Sequence, residues 1–235
     1  DTQGSGYHWG TAAEMRGEFW ALGFSASQRN ASDISIPGKA WTEAYDELEN
    51  PRSFIPGVGI VELENPDGEL ANSFHERSSW SLGGRVGSEE GFSLGASFQE
   101  VEQNYGIPYY FAGDATDLFG DLSIEGGLER GDLEMSNRFG PDAWFDEVKF
   151  RLGMGRYQHR EIFDGKSKDD GKRFNETAFD KHALEGRLEF YFGEDSEWSG
   201  VFGAQFNDDD LAIERVVVPP PTLFTEQSRI ESENL

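Results

Sequence analysis

The stretch Phe92-Ser93-Leu94-Gly95-Ala96-Ser97-Phe98-Gln99 alternates apolar residues with small or polar ones without a break. Successive side chains of a β-strand point to opposite faces of a sheet, so the four apolar residues would share one face. A helix would instead repeat its apolar residues every three to four positions, which this stretch does not do. The stretch therefore predicts a β-strand with one apolar and one polar face.

Similar alternation recurs along the chain and predicts an all-β protein of about eight antiparallel strands. The strands are predicted near residues 7–15, 19–29, 77–87, 92–103, 120–136, 147–162, 183–192 and 199–208, with a ninth beginning near Phe224. The fifth is the least regular, because Glu129-Arg130-Gly131-Asp132 interrupts its apolar face. We expect a β-bulge there to shift the alternation.

The predicted connections alternate between short and long. Short turns lie near residues 16–18, 88–91, 137–146 and 193–197, and long polar loops at about 28–76, 104–118, 163–182 and 208–225. Outer-membrane barrels have this pattern, with short periplasmic turns and long extracellular loops. Aromatic residues near the short turns, such as Trp20, Phe92 and Trp198, are typical of an interfacial girdle. The pattern favours an antiparallel up-and-down transmembrane β-barrel, either closed with eight strands or part of a larger barrel.

The composition excludes several other classes. The 235 residues carry a net charge of −25, which disfavours a nucleic-acid partner. An aromatic content of 14% argues against disorder, and the absence of cysteine excludes a disulfide scaffold and a cysteine nucleophile. No run of 18 apolar residues predicts a transmembrane helix. Because no nucleophile motif or phosphate-binding loop is present, we expect neither enzymatic activity nor a cofactor.

Six segments spread over about residues 25–225 carry a further signal. They are Arg29–Gly38, Glu90–Pro108, Val148–Glu161, Phe174–Glu189, Gly203–Phe206 and Val218–Thr222. In this order they resemble the barrel of a TonB-dependent outer-membrane receptor, and within that family the zinc-uptake receptors. The most specific match is Glu90-Gly91-Phe92-Ser93-Leu94-Gly95 leading to Asn104-Tyr105-Gly106-Ile107-Pro108. Two departures stand out: Ile34-Ser35-Ile36 lacks the family's aromatic residue, and Arg156 replaces an acid before Tyr157.

The resemblance implies a 22-stranded barrel, of which residues 1–235 would be a partial barrel domain without the plug. It implies active uptake of a scarce nutrient, a metal ion or a siderophore-like metal chelate, across the outer membrane of a Gram-negative bacterium. The implied partners are outer-membrane lipid and the TonB, ExbB and ExbD energy-coupling proteins, which would act through the plug. Two alternatives stay open: a passive porin-like barrel, and a secreted acidic β-sandwich that binds carbohydrate or calcium.

The candidate metal ligands are two histidines. His159 lies in Tyr157-Gln158-His159, and His75 stands beside Glu76. Imidazole is a common ligand for metals and metal chelates, although a polar residue bonded to its neighbours is the commoner case for such a histidine. No spacing of histidines and acids matches a known metal motif.

Tyr105, Asp208, Asp209 and Asp210 are predicted to belong to loops that face the substrate. Acids grouped at a barrel mouth attract cations, although solvated surface acids are the commoner case. On the polar face we expect cross-strand salt bridges between arginines and glutamates. The candidates are Arg85, Arg151 and Arg187 with Glu185 and Glu189.

Overall fold

The structure is a computed structural model that describes residues 3–40, 52–55, 59–62, 65, 67–88, 90–108, 120–140, 142–166, 172–194, 197–217 and 228–233. The strands are β1 (Gln3–Arg16), β2 (Trp20–Lys39), β3 (Arg52–Ile55), β4 (Gly59–Glu62), β5 (Asp67–Leu70), β6 (His75–Gly87), β7 (Phe92–Ile107), β8 (Gly120–Arg138), β9 (Glu147–Lys166), β10 (Lys172–Phe192), β11 (Gly200–Val217) and β12 (Ser228–Glu233). Within these ranges there is no helix, and hence none long and apolar enough to cross a membrane.

One large sheet organises the chain. Its strands follow the order β1-β2-β6-β7-β8-β9-β10-β11-β12, and β5 pairs beside the far end of β2, while β3 and β4 form a separate two-stranded sheet. Every pairing is antiparallel. The predicted all-β antiparallel arrangement is therefore confirmed. Among the described residues β1 and β12 do not pair with each other, so the sheet is open here.

The short turns join the strands at one end of the sheet, which we call the short-turn end. After β6, Gly87 adopts a φ of 120° that side-chain-bearing residues rarely tolerate. A Cβ atom there would also collide with the backbone of Phe92 and Ser93. Ser88 N donates to the Phe92 carbonyl at 2.9 Å, which closes the connection to β7.

The strands reach further from the short-turn end than the sequence predicted. The predicted loop 163–182 is largely strand, because β9 runs to Lys166 and β10 begins at Lys172. The predicted loop 208–225 begins as strand, since β11 continues to Val217. β7 likewise extends to Ile107 within the predicted loop 104–118, whose residues 109–118 lie outside the described ranges. Charged residues fall on both sides of these extensions among scattered apolar ones such as Phe179, Leu211 and Ile213, so hydropathy gives no regular alternation there to mark them as strands.

The first predicted loop, 28–76, also contains strand. β2 continues through its first residues to Lys39, β6 begins at His75, and the short strands β3, β4 and β5 lie between. The β-bulge predicted in β8 is wrong. β8 pairs with both neighbours without a register shift, and Gly131 stays in phase between Phe98 and Met154. Arg130 and Asp132 simply occupy the opposite, polar face.

The register gives the sheet two unlike faces. One row of cross-strand partners runs through Trp20, Val86, Leu94, Met135, Phe150 and Leu188, and we call the face that holds it the apolar face. Many of its large side chains are exposed, such as Leu22 and Leu82 at 53% each, and others such as Leu94 and Phe150 are half-buried. The other, polar face holds the buried polar residues Ser93, Ser136 and Glu189, exposed by 4%, 8% and 5%. A water-soluble sheet would bury its apolar face instead.

Candidate functional site

The apolar residues of the apolar face form a continuous belt, which we call the apolar band. It contains Tyr7, Trp9, Ala13 and Met15 of β1; Trp20, Leu22, Phe24 and Ala26 of β2; Trp80, Leu82 and Val86 of β6; Phe92, Leu94, Ala96 and Phe98 of β7; Leu133 and Met135 of β8; Val148, Phe150, Leu152 and Met154 of β9; Leu184, Leu188, Phe190 and Phe192 of β10; and Phe202, Ala204 and Phe206 of β11. Strand rise and spacing give it an area on the order of 800 Å². The largest apolar patch of a soluble monomer is usually a few hundred Å².

The apolar band runs obliquely across the rows of cross-strand partners. In β1 it reaches Tyr7, whose row ends at Glu214 in β11. In β11 the band stops at Phe206, eight residues short of Glu214. Eight residues correspond to about 27 Å along a strand, and the seven strand spacings from β1 to β11 to about 34 Å. The band therefore has a constant height around the sheet only if the strands are inclined by roughly 40° to the direction perpendicular to the band.

Aromatic residues mark both limits of the band. At the short-turn end, the ring centroid of Phe145 lies 5.1 Å from that of Phe190 and 5.7 Å from that of Phe202. At the opposite limit, Trp80 Nε1 donates to Glu100 at 3.0 Å and Trp9 Nε1 to Gln28 at 3.1 Å. These indoles keep their rings on the apolar band and their N–H groups on polar partners, which suits a boundary between apolar and aqueous surroundings.

The polar face carries a network of ion pairs beside the apolar band. Arg151 donates to Glu134 at 2.8 Å and to Glu189 at 3.1 Å, and Arg187 donates to Glu189 at 2.6 Å. The predicted cross-strand salt bridge to Glu189 is confirmed for Arg151, whereas Arg187 contacts Glu189 within the same strand, β10. Glu185 instead accepts from Arg130 at 2.6 Å. Arg85 donates to the Ser93 hydroxyl at 3.1 Å rather than to a glutamate.

A groove of about 660 Å³ lies on the polar face next to this network. It exists because Gly153, Gly155 and Ala183 have little or no side chain at adjacent positions of β9 and β10. Its charged lining is internally neutralised: Arg130 pairs with Glu185, and Lys181 Nζ lies 3.1 Å from Asp209. The groove therefore offers room and hydrogen-bonding groups but no unbalanced charge.

Further from the short-turn end, the polar face is different. Arg29 and Arg77 are direct cross-strand partners, and neither has an ion pair or side-chain hydrogen bond with any described residue. Around them, on the same face, lie His8, His75, Gln103 and Tyr105. We call these six residues the arginine cluster. It contains no acid.

Two of the predicted site residues belong to the arginine cluster. His75 and Tyr105 are cross-strand partners whose ring centroids are 6.1 Å apart. The Nδ1 atom of His75 is buried and has no hydrogen-bond partner among the residues that the structure describes. The pairing of β6 with β7 thus brings together residues that the sequence separates by 30 positions.

The two predicted metal ligands are not brought together. His159 lies on β9, three strands from His75 on β6, which separates them by about 14 Å. The Nδ1 atom of His159 lies 3.1 Å from the Tyr157 hydroxyl, and its Nε2 atom lies 3.5 Å from Glu161. Among the described residues no group of three or more histidines, cysteines and acids could hold a metal ion.

The predicted loop positions of Tyr105 and of Asp208, Asp209 and Asp210 are wrong, because Tyr105 lies inside β7 and the three acids lie inside β11. Asp209 is on the polar face with Lys181. Asp208 and Asp210 are on the apolar face just beyond the band, where their partners are Leu184 and His182. The sequence suggested a loop because three successive acids resemble a surface turn more than a strand.

Beyond the apolar band, the apolar face becomes a charged surface. Arg156 donates to Asp180 at 2.7 Å, and Arg160 bonds Glu125 and Glu176 at 2.9 and 2.7 Å. The hydrogen bond from Arg156 lowers the pKa of the Asp180 carboxyl below its ordinary value, because it stabilises the charged form. The apolar face is thus charged and ion-paired where the band ends.

The sequence alone did not predict that Arg29 and Arg77 are cross-strand partners. The two residues are 48 positions apart, in predicted strand and near a predicted loop boundary, and no motif links them. Only the register of β2 against β6 makes them partners.

A comparison of the chain with known protein families, curated proteins and solved structures finds no significant match.

Proposed function

We propose that this chain is part of the β-barrel of a TonB-dependent outer-membrane receptor, which takes up a scarce nutrient such as a metal ion or metal chelate. The observation that carries the membrane assignment is the oblique apolar band. Transmembrane barrel strands are tilted by about 35–45°, so a lipid-facing belt must cross their register rows obliquely. The inclination of roughly 40° required to level this band falls within that range.

The energetics of the exposed apolar side chains also support the membrane assignment. Full burial of a leucine contributes roughly 1.5–3 kcal/mol, so Leu22 and Leu82, each 53% exposed, leave about 1 kcal/mol apiece unrealised in water. Summed over the side chains of the apolar band, this loss would be comparable to the entire free energy of unfolding of a domain. In a bilayer, lipid chains cover these side chains and remove the loss.

The receptor assignment within outer-membrane proteins is supported by the order of the six segments. The energy for uptake would come from TonB, ExbB and ExbD through a plug, and lipid would surround the barrel. A passive porin-like barrel shares the apolar band but would need neither plug nor energy. A secreted β-sandwich is less well supported: among the described residues, the only second sheet is β3 with β4, four residues each, too small to cover the band.

Site-directed labelling tests the membrane assignment, because the chain has no cysteine to remove. We would introduce Ala71→Cys, Trp144→Cys and Leu82→Cys singly and treat intact Gram-negative cells with a membrane-impermeant maleimide. Ala71, on the turn before β6, should be labelled, and Trp144, at the short-turn end, should react only after the outer membrane is permeabilised. Leu82 should resist the reagent in both conditions, because lipid would cover it. Labelling of all three in intact cells or in the culture supernatant would refute the membrane assignment.

The receptor assignment needs a separate test. Uptake of radioactive zinc or iron by cells producing the full-length protein should require a functional TonB protein. Equal uptake in cells with and without TonB would favour the passive barrel. The labelling result would be the same in both cases, so the two experiments separate the two claims.

A further inference from the structure

We propose that the arginine cluster is a binding site for an oxyanion, a ligand with exposed carboxylate or phosphate oxygens, held between Arg29 and Arg77. The inference starts from a comparison within the sheet. Within the described ranges, two pairs of arginines face each other directly across adjacent strands: Arg29 with Arg77, and Arg151 with Arg187. Like charges placed directly opposite each other destabilise a sheet.

The second pair is neutralised by the protein itself. Arg151 and Arg187 share Glu189, and Arg151 also bonds Glu134. The two positive and two negative charges balance, so we interpret this arginine pair as a structural element of the sheet. Arg29 and Arg77 have no such partners among the described residues.

The acids nearest to Arg29 and Arg77 accept hydrogen bonds from other residues. Glu76, adjacent to Arg77 in the chain, lies on the opposite face and accepts from Asn30 at 2.7 Å. Asp33, further along β2, accepts from the Ser73 backbone at 2.7 Å. In a chain with a net charge of −25, two facing guanidiniums with no carboxylate partner in the described part of the chain are unusual.

The groups around the pair suit an anion. Guanidinium presents planar N–H pairs that match carboxylate and phosphate oxygens. Gln103 is the partner of Arg77 on β7 and adds an amide donor, while Tyr105 adds a hydroxyl. The unpaired, buried Nδ1 of His75 adds a polar atom that a ligand could satisfy. A bare metal cation would be repelled, so the cluster suits a chelate that presents anionic oxygens.

Identification of this oxyanion as transported cargo rests on the proposed function, but the binding itself does not. The test uses isothermal titration calorimetry of the full-length protein in detergent micelles, with citrate as the carboxylate probe and inorganic phosphate as the phosphate probe. The variants are Arg29→Gln and Arg77→Gln, and the matched control is Arg85→Gln, which removes the same charge from the same face. Arg29→Gln and Arg77→Gln should each weaken binding by about tenfold or more, since each removes charge-assisted hydrogen bonds.

Arg85→Gln should leave binding within about twofold, since it only changes the distant field. The stronger of the two probes assigns the ligand's oxygens to carboxylate or phosphate. Without ligand, the two cluster variants should unfold at the same or a higher temperature than the parent, because the like-charge contact is relieved. Three results would each overturn the proposal: binding of neither probe at millimolar concentration, an equal loss in Arg85→Gln, or a lowered unfolding temperature in both cluster variants. None of these would affect the labelling result that tests the membrane assignment.

Discussion

Leu82→Arg distinguishes a lipid-covered sheet from a water-covered one more sharply than any other single substitution. Leu82 lies within the apolar band, with Phe24 and Phe98 as its cross-strand partners on either side. Its side chain is 53% exposed, so an arginine would fit without collision. Steric effects are thereby removed, and only the surroundings of the new charge decide the outcome.

The two environments predict different magnitudes. On the lipid face of a membrane barrel, arginine near the bilayer midplane costs about 2–4 kcal/mol. On a water-exposed surface, the same change stays within about 0.5 kcal/mol. Ser78→Arg supplies the matched control, because Ser78 lies on the same strand and the same face, four residues further from the short-turn end and beyond Trp80. Near an interface the cost falls to roughly 0–1 kcal/mol.

The assay is the free energy of unfolding of the full-length protein in lipid vesicles, from urea titrations followed by tryptophan fluorescence. We expect Leu82→Arg to lower it by about 2–4 kcal/mol and Ser78→Arg by less than about 1 kcal/mol. Two equal, small effects would refute the claim that lipid covers the apolar band. Equal, large effects would contradict the predicted depth dependence.

Three further outcomes follow from the side-chain contacts. Glu189→Gln should lower the free energy of unfolding by about 1–3 kcal/mol, because it weakens the charge-assisted hydrogen bonds that the half-exposed Arg151 and Arg187 make to a buried carboxylate. Glu185→Gln, whose carboxylate and partner Arg130 are both half-exposed, should cost under about 1 kcal/mol, and comparable losses would contradict the burial argument. Ser136→Ala should cost about 1 kcal/mol in the same urea titration, since it breaks the buried 2.7 Å hydrogen bond to Ser93, and no change would mean that the bond contributes nothing. The pKa of Asp180 is lowered on folding, so its bond to Arg156 should stabilise the fold at pH values above the ordinary pKa of 3.8. This stabilisation should disappear as the pH falls through the pKa of the folded state. An Asp180→Asn variant whose stability differs from the parent's by the same amount at neutral and at strongly acidic pH would contradict this.

The alternation of side chains was sufficient to predict the strands wherever one face is apolar. Phe92, Leu94, Ala96 and Phe98 lie on the apolar face as expected, and β8 keeps its phase despite Arg130 and Asp132. The pattern fails where charged residues fall on both faces, as at Asp208, Asp209 and Asp210 in β11, because hydropathy no longer distinguishes strand from loop. There, backbone pairing with β10 holds the strand.

The site was harder to predict, because it depends on register. His75 and Tyr105 were identified singly, but their contact follows only from the pairing of β6 with β7. Arg29 and Arg77 have ordinary sequence surroundings, and their opposition arises from the alignment of two strands. A shift of one residue in that alignment would put Arg77 on the other face.

The oblique limit of the apolar band also fixes the depth of the arginine cluster. Arg29 and Arg77 lie three residues beyond Ala26 and Trp80, the last band residues of their strands. If lipid covers the apolar band as proposed, strands inclined by roughly 40° would put the cluster about 8 Å above the hydrocarbon boundary. A ligand arriving from outside the cell would therefore meet the cluster before any part of the sheet had to move. Capture would then be an equilibrium event that proceeds in de-energised cells, and only the onward passage of the ligand would need an energy source.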